Sequence, residues 1–336
     1  MSPESGARVE LLFDKIRSYP QSHRPGFRST RCPHHARDVS TSPRRPATLE
    51  FTVFRGSEAV RDGLLTAKML RGPAWIRVRN DVYADSRLDR DHELACRAAS
   101  LVLPDSAVIS GRSAAYLYGI EHAASFSDPV CITLPPGQPW PRQNLVVHRT
   151  ALEVADVQAL SFCRLTSPLR TAWDLGVWLD PPEAVAIIDG LLREGIVTAA
   201  DMAKYAEERG RRRGSAKARR AFELADGRAE SPPESRMRVR LVLAGLPKPV
   251  PQYPILLPSG LTVHPDAAWP EYRVAAEYDG VWHADDRAFH LDRRRLNELL
   301  AAGWLVFHAT SRRLDRGFSG FVREIRDGLI SRGWRP

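Results

Sequence analysis

Two short apolar runs with three acids set into them limit how residues 263–279 can fold. Val263-His264-Pro265-Asp266-Ala267-Ala268-Trp269 and Tyr272-Arg273-Val274-Ala275-Ala276-Glu277-Tyr278-Asp279 read as adjacent β-strands parted by a turn at Pro270-Glu271. Side chains alternate across a strand, so Glu277 and Asp279, two residues apart, share one face. Asp266 reaches the same region from the neighbouring run. Three carboxylates gathered in this way repel one another and resist ionising together unless a cation lies between them. An oxygen-preferring ion, Mg2+ or Mn2+, suits that donor set, because it takes few protein ligands and keeps waters for chemistry. Such an ion polarises a phosphoryl oxygen and acidifies a bound water, which is what phosphodiester hydrolysis requires.

The elements around the acids follow in a definite order. Ser231-Pro232-Pro233-Glu234 opens a helix to about Ala244, with Ser231 as N-cap, Pro232 in the first turn and Glu234 in a capping-box position. Met237, Val239, Leu241 and Val242 form its apolar face. A hairpin, Gln252–Leu257 and Leu261–Asp266, turns at Pro258-Ser259-Gly260. After the second acidic run come a helix from about Asp292 to Ala302, a strand over Trp304–Ala309 and a final helix from Gly320 to Ile330.

Asp266, ten residues, then Glu277-Tyr278-Asp279 resembles the PD-(D/E)xK nuclease core. Asp279-Gly280-Val281-Trp282-His283 is similar to the Gly-aromatic-Trp-His segment of very-short-patch-repair endonucleases, and residues 226–325 resemble the domain related to those mismatch endonucleases. The resemblance implies a restriction-endonuclease-like α/β core in which Asp266 and Glu277 hold Mg2+ (or Mn2+). It also implies a place in the metal site for Glu234, with Glu230 as the second acid of that helix. Asp279 stands where the pattern usually has lysine, which removes the cation expected to orient the attacking water. Arg294 or Arg295 offers a guanidinium, but arginine stays protonated and is no base. His283 is the better proton-handling candidate.

Upstream, Pro, Ser, Arg and His dominate from Pro20 to Pro46, so residues 1–50 read as a disordered basic tail. In residues 51–90, Ser57–Gly63 and Leu64–Leu70 read as short helices, and Trp75–Arg79 and Val82–Ala84 as a hairpin about Asn80-Asp81. Helix, helix, hairpin outlines a winged helix, with Arg71, Arg77 and Arg79 presented to duplex DNA; a small interaction domain with solvated arginines fits the same pattern. Followed by Ile109-Ser110-Gly111-Arg112-Ser113-Ala114-Ala115-Tyr116-Leu117-Tyr118-Gly119, this module resembles the N-terminal part of abortive-infection type IV antitoxins, and Thr166–Leu175 is similar to a later segment of the same proteins. That resemblance implies promoter binding, and a toxin or defence partner.

Residues 91–208 read as mixed α+β, with helices at His92–Leu103, Pro168–Leu179, Pro181–Glu194 and Met202–Glu208 and strands at Val130–Leu134 and Leu145–Arg149. His148 reads as a strand residue with a satisfied ring. Residues 209–225 read as a basic linker: from Arg209 to Arg220 there are seven basic residues and no acid, Arg211, Arg212 and Arg213 among them. Such a run is either a solvated face or a clamp on backbone phosphates.

The net charge of +9 favours a polyanionic partner, DNA in this reading. No apolar run is long enough to span a bilayer, and the N-terminus lacks the order of a signal peptide, so a cytoplasmic location is expected. Cys32, Cys96, Cys131 and Cys163 have no CxxC spacing, which suggests neither a zinc site nor a disulfide framework. Two functions emerge: a metal-dependent DNA endonuclease, or a DNA-binding antitoxin-like regulator whose nuclease fold is inactive.

Overall fold

The computed structural model describes residues 45–139, 144–210, 213–280 and 295–336. Helices and mixed sheets alternate along the chain, an α/β class. Two compact units divide it, Met1–Thr171 and Ala172–Pro336.

In the first unit, β1 (Val53–Arg55), β2 (Trp75–Arg79) and β3 (Val82–Asp85) form an antiparallel sheet in the order β1-β3-β2. The turn between β2 and β3 falls at Asn80-Asp81, where Asp81 takes φ 58°. Its carboxylate accepts from the Ser57 backbone N–H and hydroxyl and from Arg55. Helix α1 spans Gly56–Arg61. A second helix expected over Leu64–Leu70 is only a 3-10 turn at Met69–Arg71, because Gly63 adopts φ 71° and the Leu64 N–H returns to the Ala59 carbonyl, closing α1 with a left-handed cap. Phe54, Ala59, Leu65, Leu70 and Trp75 fill the small core beneath.

A five-stranded mixed sheet follows, β4 (Val108–Ile109), β5 (Val130–Leu134), β6 (Leu145–Arg149), β7 (Val157–Ala159) and β8 (Arg164–Thr166), in the order β6-β5-β4-β8-β7. Helices α2 (His92–Ser100) and α3 (Gly111–Leu117) precede and follow β4. His148 lies on β6 beside Thr133, where burial pushes its imidazole down to about 4.

Helix α4 (Pro168–Trp178) crosses the boundary between units. The second unit continues with α5 (Pro181–Arg193), α6 (Ala199–Glu208), α7 (Ser215–Leu224) and α8 (Pro232–Leu243). Helix α7 arises inside the basic run because Ala218, Ala221 and Leu224 recur at helical spacing and are buried. Gly176 is needed opposite it, since a Cβ there would stand 2.9 Å from Ala218 Cα. Residues 226–336 then supply β9 (Ile255–Leu256), β10 (Thr262–Val263), β11 (Ala267–Trp269), β12 (Val274–Asp279), a helix over residues 295–301 (α9), β13 (Leu305–Thr310), α10 (Ser311–Arg316) and α11 (Phe318–Ser331).

Strands β11, β12 and β13 make the sheet that positions the acids, with β12 central, antiparallel to β11 and parallel to β13. One face packs on α8 and α11 through Met237, Leu241, Ala276, Phe321 and Ile325. The other packs on the β9–β10 hairpin and α9 through Ile255, Val263, Ala275, Leu299 and Trp304. The expected strand Leu261–Asp266 breaks at His264-Pro265, because proline has no N–H for a ladder, and Asp266 sits just before β11. On α8, Met237, Val239 and Leu241 are buried as expected while Val242 is only half-buried, and Ser235 and Arg238 are buried as well. Arg238 donates to Asp189 Oδ2 of α5 at 2.7 Å, and Ser235 donates to the same oxygen at 2.6 Å.

Candidate active site

Asp266, Glu277, Asp279 and Glu234 come together beside the end of β12. The antiparallel pairing stops at Ala267 and Ala276, and the Asp266 side chain extends it by one bond, Oδ2 accepting from the Tyr278 N–H at 2.7 Å. That bond fixes Asp266 next to Glu277. From α8, Glu234 Oε2 accepts from the Glu230 N–H at 2.9 Å and from Gln252 Nε2 at 3.2 Å. Ser231 makes no capping bond with its side chain and Glu234 accepts from the N–H one residue before the cap, so the expected capping box does not form.

Gln252 joins the two acids, its Nε2 also donating to Asp266 Oδ1 at 3.4 Å. Carboxylates only accept, so the amide must present its NH2 to both. The backbone of Gln252 takes φ 52°, a left-handed conformation that few non-glycine residues adopt without support. Nothing local in the sequence signals a positive φ at glutamine, so Gln252 carries no site signature of its own.

The other two acids pair with a guanidinium and an imidazole. Arg295, at the start of α9, donates Nη2 to Glu277 Oε1 at 2.6 Å. His308, on β13, holds Nδ1 3.1 Å from Asp279 Oδ1 and 3.9 Å from Glu277 Oε2. The bond to Asp279 raises the His308 pKa. Asp266 is pushed up to about 7, first by burial and then by the charges of Glu234 and Glu277, against the Tyr278 N–H.

Among the described residues no group of three or more His, Cys, Asp and Glu is spaced to hold one metal ion as it stands. The donor chemistry fits a hard divalent ion even so: carboxylate oxygens from Glu234, Asp266 and Glu277 share one region, where burial and the neighbouring acids push Asp266 up to about 7. Gln252 donates to Glu234 and Asp266, and Arg295 donates to Glu277.

His283 and Arg294 lie outside the described residues, as do Arg211 and Arg212. Arg213 is exposed ahead of α7, and Arg71 is exposed in the first unit. On β2, Arg77 donates to Asn80 Oδ1 at 2.6 Å, while half-buried Arg79 donates to the Asn144 carbonyl at 3.4 Å.

No family model matches the chain. It is 34% identical over 233 residues, 69% of its own length and 83% of theirs, to two Mycobacterium tuberculosis proteins: Uncharacterized protein MT2308 of strain CDC 1551 / Oshkosh and Uncharacterized protein Rv2248 of strain H37Rv. The chain belongs to the MT2308/Rv2248 family. In this member of the MT2308/Rv2248 family the carboxylates come from α8, the start of β11 and β12, with the imidazole of His308 added by β13.

Proposed function

We propose that this protein is a metal-dependent DNA endonuclease. The observation that carries the reading is the gathering of Glu234, Asp266, Glu277 and Asp279 at one end of a strand, within elements ordered α-β-β-β-β-α-β. Asp266 and Glu277, joined by Glu234, would hold Mg2+ or Mn2+; when bound, such an ion polarises the phosphoryl group and acidifies a water. The chain's own groups do the rest. Gln252 keeps Glu234 and Asp266 facing one another, Arg295 fixes Glu277, and Asp279 orients His308. The net charge of +9, with Arg71, Arg77, Arg79, Arg213 and their neighbours, favours a polyanion such as duplex DNA.

The test is nicking of supercoiled plasmid with Mg2+ or Mn2+, beside Asp266→Asn and Glu277→Gln. Metal-dependent nicking that both substitutions abolish supports the nuclease. A second reading, a DNA-binding antitoxin-like regulator on an inactive nuclease fold, is favoured by the way Gln252, Arg295 and His308 already satisfy the carboxylates. Duplex binding to the protein's own promoter, with no Mn2+ uptake by calorimetry and no cleavage of any DNA form, would establish that reading instead.

A further inference from the structure

We propose that His308 is a catalytic residue of the phosphodiester hydrolysis and that Asp279 is the positioning residue that orients it; this rests on the nuclease reading above. Strands β12 and β13 run parallel with Glu277 in register with His308. Alternation across the strands places His308 on the face that carries Glu277 and Asp279. Its Nδ1 lies 3.1 Å from Asp279 Oδ1. A carboxylate only accepts, so Nδ1 carries the hydrogen and Nε2 is left as the reactive nitrogen.

Nε2 is enclosed and has no hydrogen-bond partner among the described residues. Buried polar atoms are usually paired, so an unpaired ring nitrogen beside the site carboxylates, with the other nitrogen aligned by an acid, is free to take a proton from a water admitted with the substrate. The first unit offers a contrast: buried His92 has both ring nitrogens engaged, by the Ser125 carbonyl and the Ser113 hydroxyl, and so has nothing to offer a substrate.

In the step, a water hydrogen-bonded to Nε2 attacks phosphorus. The new P–O bond forms as the ester P–O bond breaks, and the water's proton passes to Nε2. Asp279 stabilises the imidazolium, which then releases that proton to solvent, while the leaving ester oxygen takes a proton from solvent water.

The test uses the full chain with Mn2+ and supercoiled plasmid, comparing wild type with His308→Ala, His308→Gln, Asp279→Asn and the double variant His308→Ala/Asp279→Asn. Removing the base should lower kcat about 100-fold or more, with KM for DNA and calorimetric Mn2+ affinity unchanged. Asp279→Asn should lose less, the double variant should be no worse than His308→Ala, and added imidazole should restore part of the lost rate. His308→Gln, close in size, stands in should the alanine variant not fold. Independently of turnover, 15N-histidine NMR should show hydrogen on Nδ1 of His308 in wild type and a changed tautomer in Asp279→Asn.

Wild-type kcat in both His308 variants would overturn the proposal, as would a double variant whose loss is the product of the single losses. An Nδ1-protonated ring in a wild type that cleaves no DNA would overturn the nuclease reading, and the catalytic role with it. Hydrogen on Nε2 in an active wild type would overturn the Asp279 role alone.

Discussion

Between about pH 4, where a free aspartate titrates, and about pH 7, where Asp266 does, the folded protein holds a proton on Asp266 that the unfolded chain has released. Stability from this group is therefore greatest on the acid side and declines as pH rises through that window. His308 acts in the same sense: its raised pKa adds stability that is complete below the unfolded value and is lost as pH rises through the folded one. In metal-free buffer the thermal midpoint should fall from about pH 5 to about pH 8, and Asp266→Asn should remove part of the fall; melts across that range check it, and a slope unchanged by the substitution would count against the conflict described at Asp266. The acids of this site were legible in the sequence because i, i+2 spacing and a turn are local signals. Gln252 and His308 were not: one depends on a positive φ, the other on a strand partner 31 residues from Glu277.

At the scale of elements, the Arg238–Asp189 pair ties α8 to α5, and both side chains are almost wholly buried. Breaking such a pair strands a charge, so Asp189→Ala should cost about 3–5 kcal/mol in urea unfolding. Replacing both residues with leucine should recover most of that loss; a double variant as unstable as the single would show that packing, not the stranded charge, sets the cost. A second contact governs β13. A Cβ on Gly328 of α11 would stand 2.8 Å from the Phe307 ring, so Gly328→Val should destabilise by about 1–3 kcal/mol through overpacking and should disturb His308 next in sequence. Ser231, Pro232 and Glu234 disclosed α8 as start signals, but nothing local disclosed that Arg238 and Ser235 are buried, since charged and hydroxylic residues read as solvent-facing until their partner on another helix is known. Likewise α7 hid within a run whose charge spoke louder than its alanines.

Across the whole molecule, binding to duplex DNA should weaken linearly in log–log terms as salt rises, by about 0.9 for each phosphate neutralised. Arg77→Ala should lessen that slope by about one unit if β2 meets the backbone, and fluorescence anisotropy at several salt concentrations measures it; an unchanged slope would remove β2 from the interface. The α/β class was readable from the chain and so were most elements of residues 226–336, although one expected strand divides into β10 and β11 at His264-Pro265; the division at Thr171 was not, because helix α4 runs through the boundary.

The parallel register of β12 and β13 also restricts how the family can change its length. An insertion or deletion of one residue within 305–307 would swap the two faces of β13 beside Glu277, exchanging the imidazole for a core side chain. Two residues would keep the face but carry the ring about 6.6 Å along the strand, out of reach of Asp279. Aligned MT2308/Rv2248 relatives that keep the acids should therefore show no gaps in this span, and their length variation should fall elsewhere.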